Sequence, residues 1–189
     1  MSTTISHGSH GSGGHGEPAG PGRPARRPYV ALIVGVMVAV GIVDQVVKQI
    51  MVSTLNPGEA VPVFGDWFRW LLVFNSGAAF SMGQNLTWLI TAIQMAFVVG
   101  TLIAAPRISH RWEAVGLALI AGGALGNLID RLFRPPGFWF GHVVDYISVG
   151  DFAVFNLADV AINIGVAVFV IALFSNIDDG TAVPDEGKQ

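Results

Sequence analysis

Four stretches of this 189-residue chain, residues 29–52, 86–105, 112–129 and 155–174, approach the length needed to cross a bilayer. A helix needs about 20 residues to span a hydrocarbon core of about 30 Å. Inside lipid every backbone N–H and C=O must be satisfied internally, so runs of this kind predict membrane-spanning helices. Composition agrees: 52% of the residues are hydrophobic and 12% are charged, about half the charged share of a soluble domain. An ordinary water-soluble enzyme is excluded. Ten Lys and Arg against 13 Asp and Glu give a net charge of -3, which leaves no footprint for nucleic acid. The chain has no cysteine. That removes disulfides, thiolate metal sites, Cys nucleophiles and thiol oxidoreductase chemistry together.

Both ends differ from the middle. Residues 1–28 are rich in Gly, Ser, Pro and His, with no apolar periodicity, and are predicted to be a disordered tail. His7, His10 and His15 are read as solvated, and no metal site is expected. Residues 176–189, with Asp178, Asp179, Asp185 and Glu186, form a second, acidic tail. The long leader and the missing small-residue cleavage site mark the first span as a retained anchor. Arg23, Arg26 and Arg27 precede it, and Arg107 and Arg111 join the second and third spans; Lys48, Arg69, Arg131 and Arg134 lie at the other side. The N-terminal cluster decides the orientation and places both termini in the cytoplasm.

Between the first two spans, residues 61–74 alternate in the strand manner around Gly65-Asp66, a hairpin signal. Phe64, Trp67, Phe68, Trp70 and Phe74 suit a small sheet at the membrane–water interface; an irregular interfacial loop is the alternative. In the third span Gly122 and Gly126, with Ala118, Ala121 and Gly123, allow close helix approach and place it inside the bundle. The expected fold is an all-α membrane protein, with four transmembrane helices in residues 29–175 and an extracytoplasmic sheet over about 56–85.

With that topology the ionisable residues converge. Asp44, Lys48, Asn127, Asp130 and Arg131 fall near the outer ends of the first and third spans, and Asn156 and Asp159 at the outer start of the fourth. Asp145 lies just before it, in a short apolar segment of extended character. A carboxylate at a helix centre costs at least about 2.5–3.5 kcal/mol, so several at one level need a reason. Asp44 and Lys48, at i and i+4, neutralise each other and shape the surroundings. Asp130 reads as structural support. For Arg131 two roles stay open, anchoring the helix end or holding an anionic headgroup or peptide carbonyl. Asn163 is expected in a helix–helix hydrogen bond. Asp145 and Asp159 have no Lys or Arg within four residues. Two partly desolvated carboxyls brought together share one proton and titrate as a pair. The ionised one takes a proton from water while the protonated one polarises an amide carbonyl and later protonates the leaving nitrogen.

Five blocks carry a resemblance along nearly all of residues 29–175: Asp44-x-x-x-Lys48; Asn75-Ser76-Gly77-Ala78-Ala79-Phe80; Gly126-Asn127-Leu128-Ile129-Asp130-Arg131; Val143-Val144-Asp145-Tyr146; and Phe155-Asn156-Leu157-Ala158-Asp159. In order and placement they resemble the bacterial lipoprotein signal peptidases (signal peptidase II). The resemblance implies an intramembrane aspartyl protease of four helices and a β-cradle. It would remove signal peptides from prolipoproteins just before the diacylglyceryl-modified cysteine. It implies Asp145 and Asp159 as the catalytic pair; Asn75, Asn127 and Asn156 orienting substrate backbone or dyad; Arg131 steadying the substrate; and Asp44, Lys48 and Asp130 holding helices and cradle in register. No metal or organic cofactor is implied. Membrane phospholipid surrounds such an enzyme, and globomycin-type cyclic peptides block it.

The loop from Phe133 to Gly141, with Pro135-Pro136-Gly137 and Phe138-Trp139-Phe140, looks longer than the family's linker; a lid and a tolerated insertion both fit. A proton-coupled transporter is the main alternative function, since buried carboxylates also mark proton paths. Transport sites favour the bilayer midplane between repeats, whereas these acids gather at one face and no repeat is visible. A lipid-binding assembly protein would explain the aromatic sheet but give Asp145 and Asp159 no joint task.

Overall fold

The computed structural model describes residues 29–77 and 86–180, and of residues 176–180 the backbone alone. Four helices are long and apolar enough to cross a membrane. They are α1 (Val30–Thr54), α2 (Thr87–Ala104, prolonged by a 3-10 turn at Ala105–Arg107), α3 (Arg111–Phe133) and α4 (Leu157–Gly180). Their ends follow proline chemistry. α3 gives way to extended Arg134 just before Pro135, where the residue preceding a proline is pushed out of the helical region; α1 gives way to extended Leu55 two residues ahead of Pro57. α2 tightens into its 3-10 turn at Pro106, which cannot donate to a continuing helix.

The third helix runs past its predicted end at 129, and this changes where its charges sit. Asp130 and Arg131 lie in its last turn and are buried, at 0% and 4% exposure. Counting apolar residues stops at the first charge, but here partners on α1 and beyond neutralise the charge and the helix continues. The fourth likewise continues to Gly180, beyond the predicted boundary at 175. The tails at 1–28 and 181–189, the histidines they hold, and Ala78, Ala79 and Phe80 lie outside the described residues.

α3 is the centre of the bundle. Over its apolar window 56% of residues are buried, against 22%, 22% and 17% in α1, α2 and α4. Small residues permit this on two faces. A Cβ at Gly122 would meet Val40 of α1 at 2.7 Å and one at Gly126 the Asp44 carboxylate at 2.5 Å; on the other face, one at Gly123 would lie 2.3 Å from the Ala158 carbonyl of α4. Each helix thus approaches to backbone distance, and dispersion rather than hydrophobic burial holds the bundle in lipid.

A three-stranded antiparallel sheet, β1 (Ala60–Phe64), β2 (Phe68–Asn75) and β3 (Val143–Val149), closes one end. The β1–β2 hairpin turns at Gly65, whose φ of +53° glycine tolerates without strain. The sequence showed β3 only as an extended segment; its pairing with β2, Val73 opposite Asp145 and Asn75 opposite Val143, brings it into the sheet. Leu72, Val144 and Tyr146 form a buried cluster against Val47, Met51, Val52 and Leu55 of α1, which seats the sheet on the bundle.

Candidate active site

The site begins with the first turn of α4, whose backbone N–H groups have no helical partners. Each is met by a side chain. The Leu157 N–H donates to the Tyr146 hydroxyl (3.2 Å), the Ala158 N–H to Asp44 Oδ1 (3.0 Å) and the Asp159 N–H to Asn156 Oδ1 (3.1 Å). The Asn156 N–H in turn donates to Asp159 Oδ2 (3.1 Å). This is a capping box with Asn at the cap and Asp three residues on. Asp159 is therefore held in one orientation, half-buried, by the way its own helix starts. Burial pushes the Tyr146 phenol up to about 12, so it remains neutral in this setting.

Asp145 reaches the same place from β3. It pairs with Val73 while Asn75 pairs with Val143, so Asp145 and Asn75 are diagonal neighbours on one face of the sheet. Asn75 Nδ2 donates to Asp145 Oδ2 at 2.8 Å, and Asn75 Oδ1 accepts the Gly77 N–H at 2.7 Å. That turn fixes which end of the amide faces the acid. Asn156 Nδ2 donates to the other oxygen, Asp145 Oδ1, at 2.6 Å. Burial pushes the Asp145 carboxyl up to about 6; the two amides oppose that, and the nearby Asp159 adds to it.

Asn127 on α3 closes the circuit between the two acids. Its Nδ2 donates to Asp159 Oδ1 (2.9 Å), while its Oδ1 accepts from Asn156 Nδ2 (3.1 Å) and from Lys48 Nζ (2.8 Å). Asp145, Asn156, Asn127 and Asp159 thus form one continuous chain of hydrogen bonds. Neither acid has a cation in direct contact among the described residues.

Beneath the acids lies a neutralised layer. Lys48, fully buried, spends its three N–H groups on Asp44 Oδ2, Asp130 Oδ2 and Asn127 Oδ1, each at 2.8 Å. Asp130 also accepts from Arg134 Nε, from Gln45 Nε2 (3.1 Å) and from the Val144 N–H (3.2 Å). One carboxylate ties α1, α3 and β3 together. Arg131 Nη1 donates to the Gly141 carbonyl (3.3 Å), and its Nε, also buried, has no partner among the described residues. The loop after α3 lies on α2: Thr91 Oγ1 donates to the Trp139 carbonyl (3.0 Å) and Trp139 Nε1 to the Trp88 carbonyl (3.2 Å).

Two cavities open onto the acids. One of about 310 Å³ lies over the sheet, lined by Asn75, Ser76, Asp145 and Val154 among others. The second, of about 450 Å³, lies along α4 beside Asp159. Ala153 lines both. A group spanning them would pass the two carboxyls.

The signal peptidase (SPase) II family profile matches residues 36–175. The chain belongs to the signal peptidase II family. A lipoprotein signal peptidase of Mycobacterium avium is 47% identical over 151 residues, 80% of this chain and 81% of that one. One of Mycobacterium tuberculosis is 44% identical over 158 residues, 84% of this chain and 77% of its own length. A solved bacterial membrane enzyme superposes with a TM-score of 0.70 at 28% identity, covering 86% of this chain and 98% of that one. Signal peptidase II is a peptidase family, and the transporter alternative is set aside.

For this signal peptidase II chain, hydrogen bonds and ion pairs join Asp44, Lys48, Asn75, Asn127, Asp130, Asp145, Asn156 and Asp159, while Arg131 bonds instead to the Gly141 carbonyl. One expectation fails: among the described residues Asn163 makes no helix–helix bond but donates from Nδ2 to the Asp159 carbonyl of its own helix (2.8 Å). Its face of α4 is exposed, so no neighbouring helix is within reach. Sequence reasoning missed Gln45 and Tyr146. Gln45, an amide in an apolar span, carried a usable signal; Tyr146 carried none beyond a hydroxyl in an apolar strand.

Proposed function

We propose that the protein is an intramembrane aspartyl endopeptidase that removes signal peptides from bacterial prolipoproteins, cutting before the diacylglyceryl-modified cysteine. Asp145 and Asp159 are its catalytic pair. The observation that carries this is the hydrogen-bonded circuit joining the two carboxyls through Asn156 and Asn127, with a cavity on either side. The raised Asp145 carboxyl favours a pair holding one proton.

In the reaction the ionised carboxyl takes a proton from water as its oxygen bonds to the scissile carbonyl carbon. The protonated carboxyl gives its proton to the carbonyl oxygen. The tetrahedral gem-diol then collapses: the nitrogen takes a proton from the carboxyl that had accepted it from water, the C–N bond breaks, one gem-diol hydroxyl returns its proton to the other carboxyl, and a carboxylic acid and a free amine leave with the dyad again holding one proton. Asn75, Asn127 and Asn156 orient the dyad, since their amide donors are committed to Asp145 and Asp159. Arg131, whose Nη1 donates to the Gly141 carbonyl, steadies the substrate beside the site. Asp44, Lys48 and Asp130 hold α1, α3 and the sheet in register. The enzyme resides in the cytoplasmic membrane among phospholipids, both termini cytoplasmic and the dyad near the outer leaflet, where a lipid-bearing substrate remains.

The test is cleavage of a diacylglyceryl-modified peptide by purified enzyme, with and without globomycin. Asp145→Asn and Asp159→Asn are each expected to reduce kcat by more than about 10³-fold, the scale of losing a general acid or base together with its partner's function, while Tm stays close to wild type. Turnover near wild type by either variant removes that residue from the chemistry.

A further inference from the structure

Asn163 is a polar side chain that the chemistry above leaves unused. It sits on an exposed face of a membrane-spanning helix, one turn beyond Asp159. An amide facing hydrocarbon is costly unless something bonds to it. Its single bond among the described residues goes back to the Asp159 carbonyl, leaving a second N–H and the amide oxygen uncommitted. It also lines the cavity of about 450 Å³ beside Asp159, whose other walls are Phe152, Ala153, Phe155, Val160 and Ile164. Asp159 and Asn163 are the two polar side chains in that otherwise apolar lining.

We infer that this groove receives the lipid of the substrate and that Asn163 donates a hydrogen bond to its glyceryl ester. The inference rests on the peptidase reading and names the part of the substrate that fills one of the two cavities. Distance supports it. Four residues of helix advance about 6 Å from Asp159 to Asn163. In a diacylglyceryl thioether, the scissile nitrogen and the nearer ester carbonyl are about seven covalent bonds apart at ~1.5 Å each, which a bent chain spans. Access supports it as well. Ile164, on the groove's wall, is 52% exposed on a spanning helix, so acyl chains leaving the ester run directly into the surrounding lipid. The sheet-side cavity offers Asn75, Ser76 and the main chain of Ala153 and Val154, which makes no backbone hydrogen bond among the described residues. That lining suits the peptide.

The experiment uses the full-length enzyme and one peptide sequence in two forms, with ester-linked or ether-linked chains of equal length. The ether form lacks the carbonyl acceptor. Wild type is expected to prefer the ester form by about five- to tenfold in kcat/KM, the worth of one hydrogen bond. Asn163→Leu abolishes that preference while its rate on the ether form stays within about twofold; Asn163→Ser, which keeps a donor, retains part of it. Equal losses by Asn163→Leu on both substrates, or an unchanged preference, overturn the assignment, as does evidence that the signal segment fills this groove. If wild type cleaves neither form, the peptidase reading itself fails, and the two failures are told apart.

Discussion

Asn75 bonds an acid with one end of its amide and a backbone turn with the other, so its contribution has a predictable sign. Its N–H stabilises the ionised form of Asp145 and opposes the effect of burial. In Asn75→Ala that opposition is lost and the carboxyl holds its proton to higher pH. Activity that needs one proton on the pair falls as that proton leaves, so the alkaline limb of kcat/KM, which belongs to the pair, moves upward in pH. An unmoved limb would detach Asn75 from Asp145. Lys48 makes the converse case. Removing its charge in Lys48→Met leaves Asp44 and Asp130 buried with too few cations, a loss of about 3–5 kcal/mol, read as a lower Tm in detergent. A Tm within a degree of wild type would show that those carboxylates take up protons at little cost.

Among the elements, α3 shows how sharply packing outweighs intrinsic helix preference. Ala in place of Gly gains about 1 kcal/mol in an open helix. At Gly35 on α1 nothing lies within 4 Å of the new Cβ, so Gly35→Ala raises stability by about that amount. At Gly123 the new Cβ meets the Ala158 carbonyl, which is backbone and cannot step aside. Gly123→Ala therefore destabilises by about 1–3 kcal/mol and lowers kcat as well, because Ala158 adjoins Asp159. Paired thermal unfolding of the two variants checks both signs. The helices were legible because lipid demands length and apolarity, and the hairpin because Gly65-Asp66 interrupts alternating residues. The third strand was not: its partner lies some 70 positions upstream, and an apolar heptad does not announce what it pairs with. Asn156-x-x-Asp159 was legible as a helix cap, yet its chemistry drew notice first, and the cap is what aims the acid.

For the molecule as a whole, topology ties the parts together. Four spans return the chain to the side from which it started, so a reporter fused after Lys188 is expected to read as cytoplasmic. An external reading would invert the membrane placement and move the acids to the wrong leaflet for a lipidated substrate. The convergence of the acids at one end was legible from direction alone, since alternate helices run opposite ways. Their connection through Asn127 and Asn156 was legible only through the resemblance, because it depends on rotations about each helix axis that apolar surfaces leave unmarked.

The start of α4 is capped by groups contributed from α1 and β3 as well as by its own cap residue. A helix whose opening turn is completed by distant parts of the chain cannot adopt its final pose before those parts have arrived. Because α1 and β3 precede α4 in the chain, Asp44 and Tyr146 are made before the helix whose first turn they cap, and the orientation of Asp159 is settled only when all three elements meet.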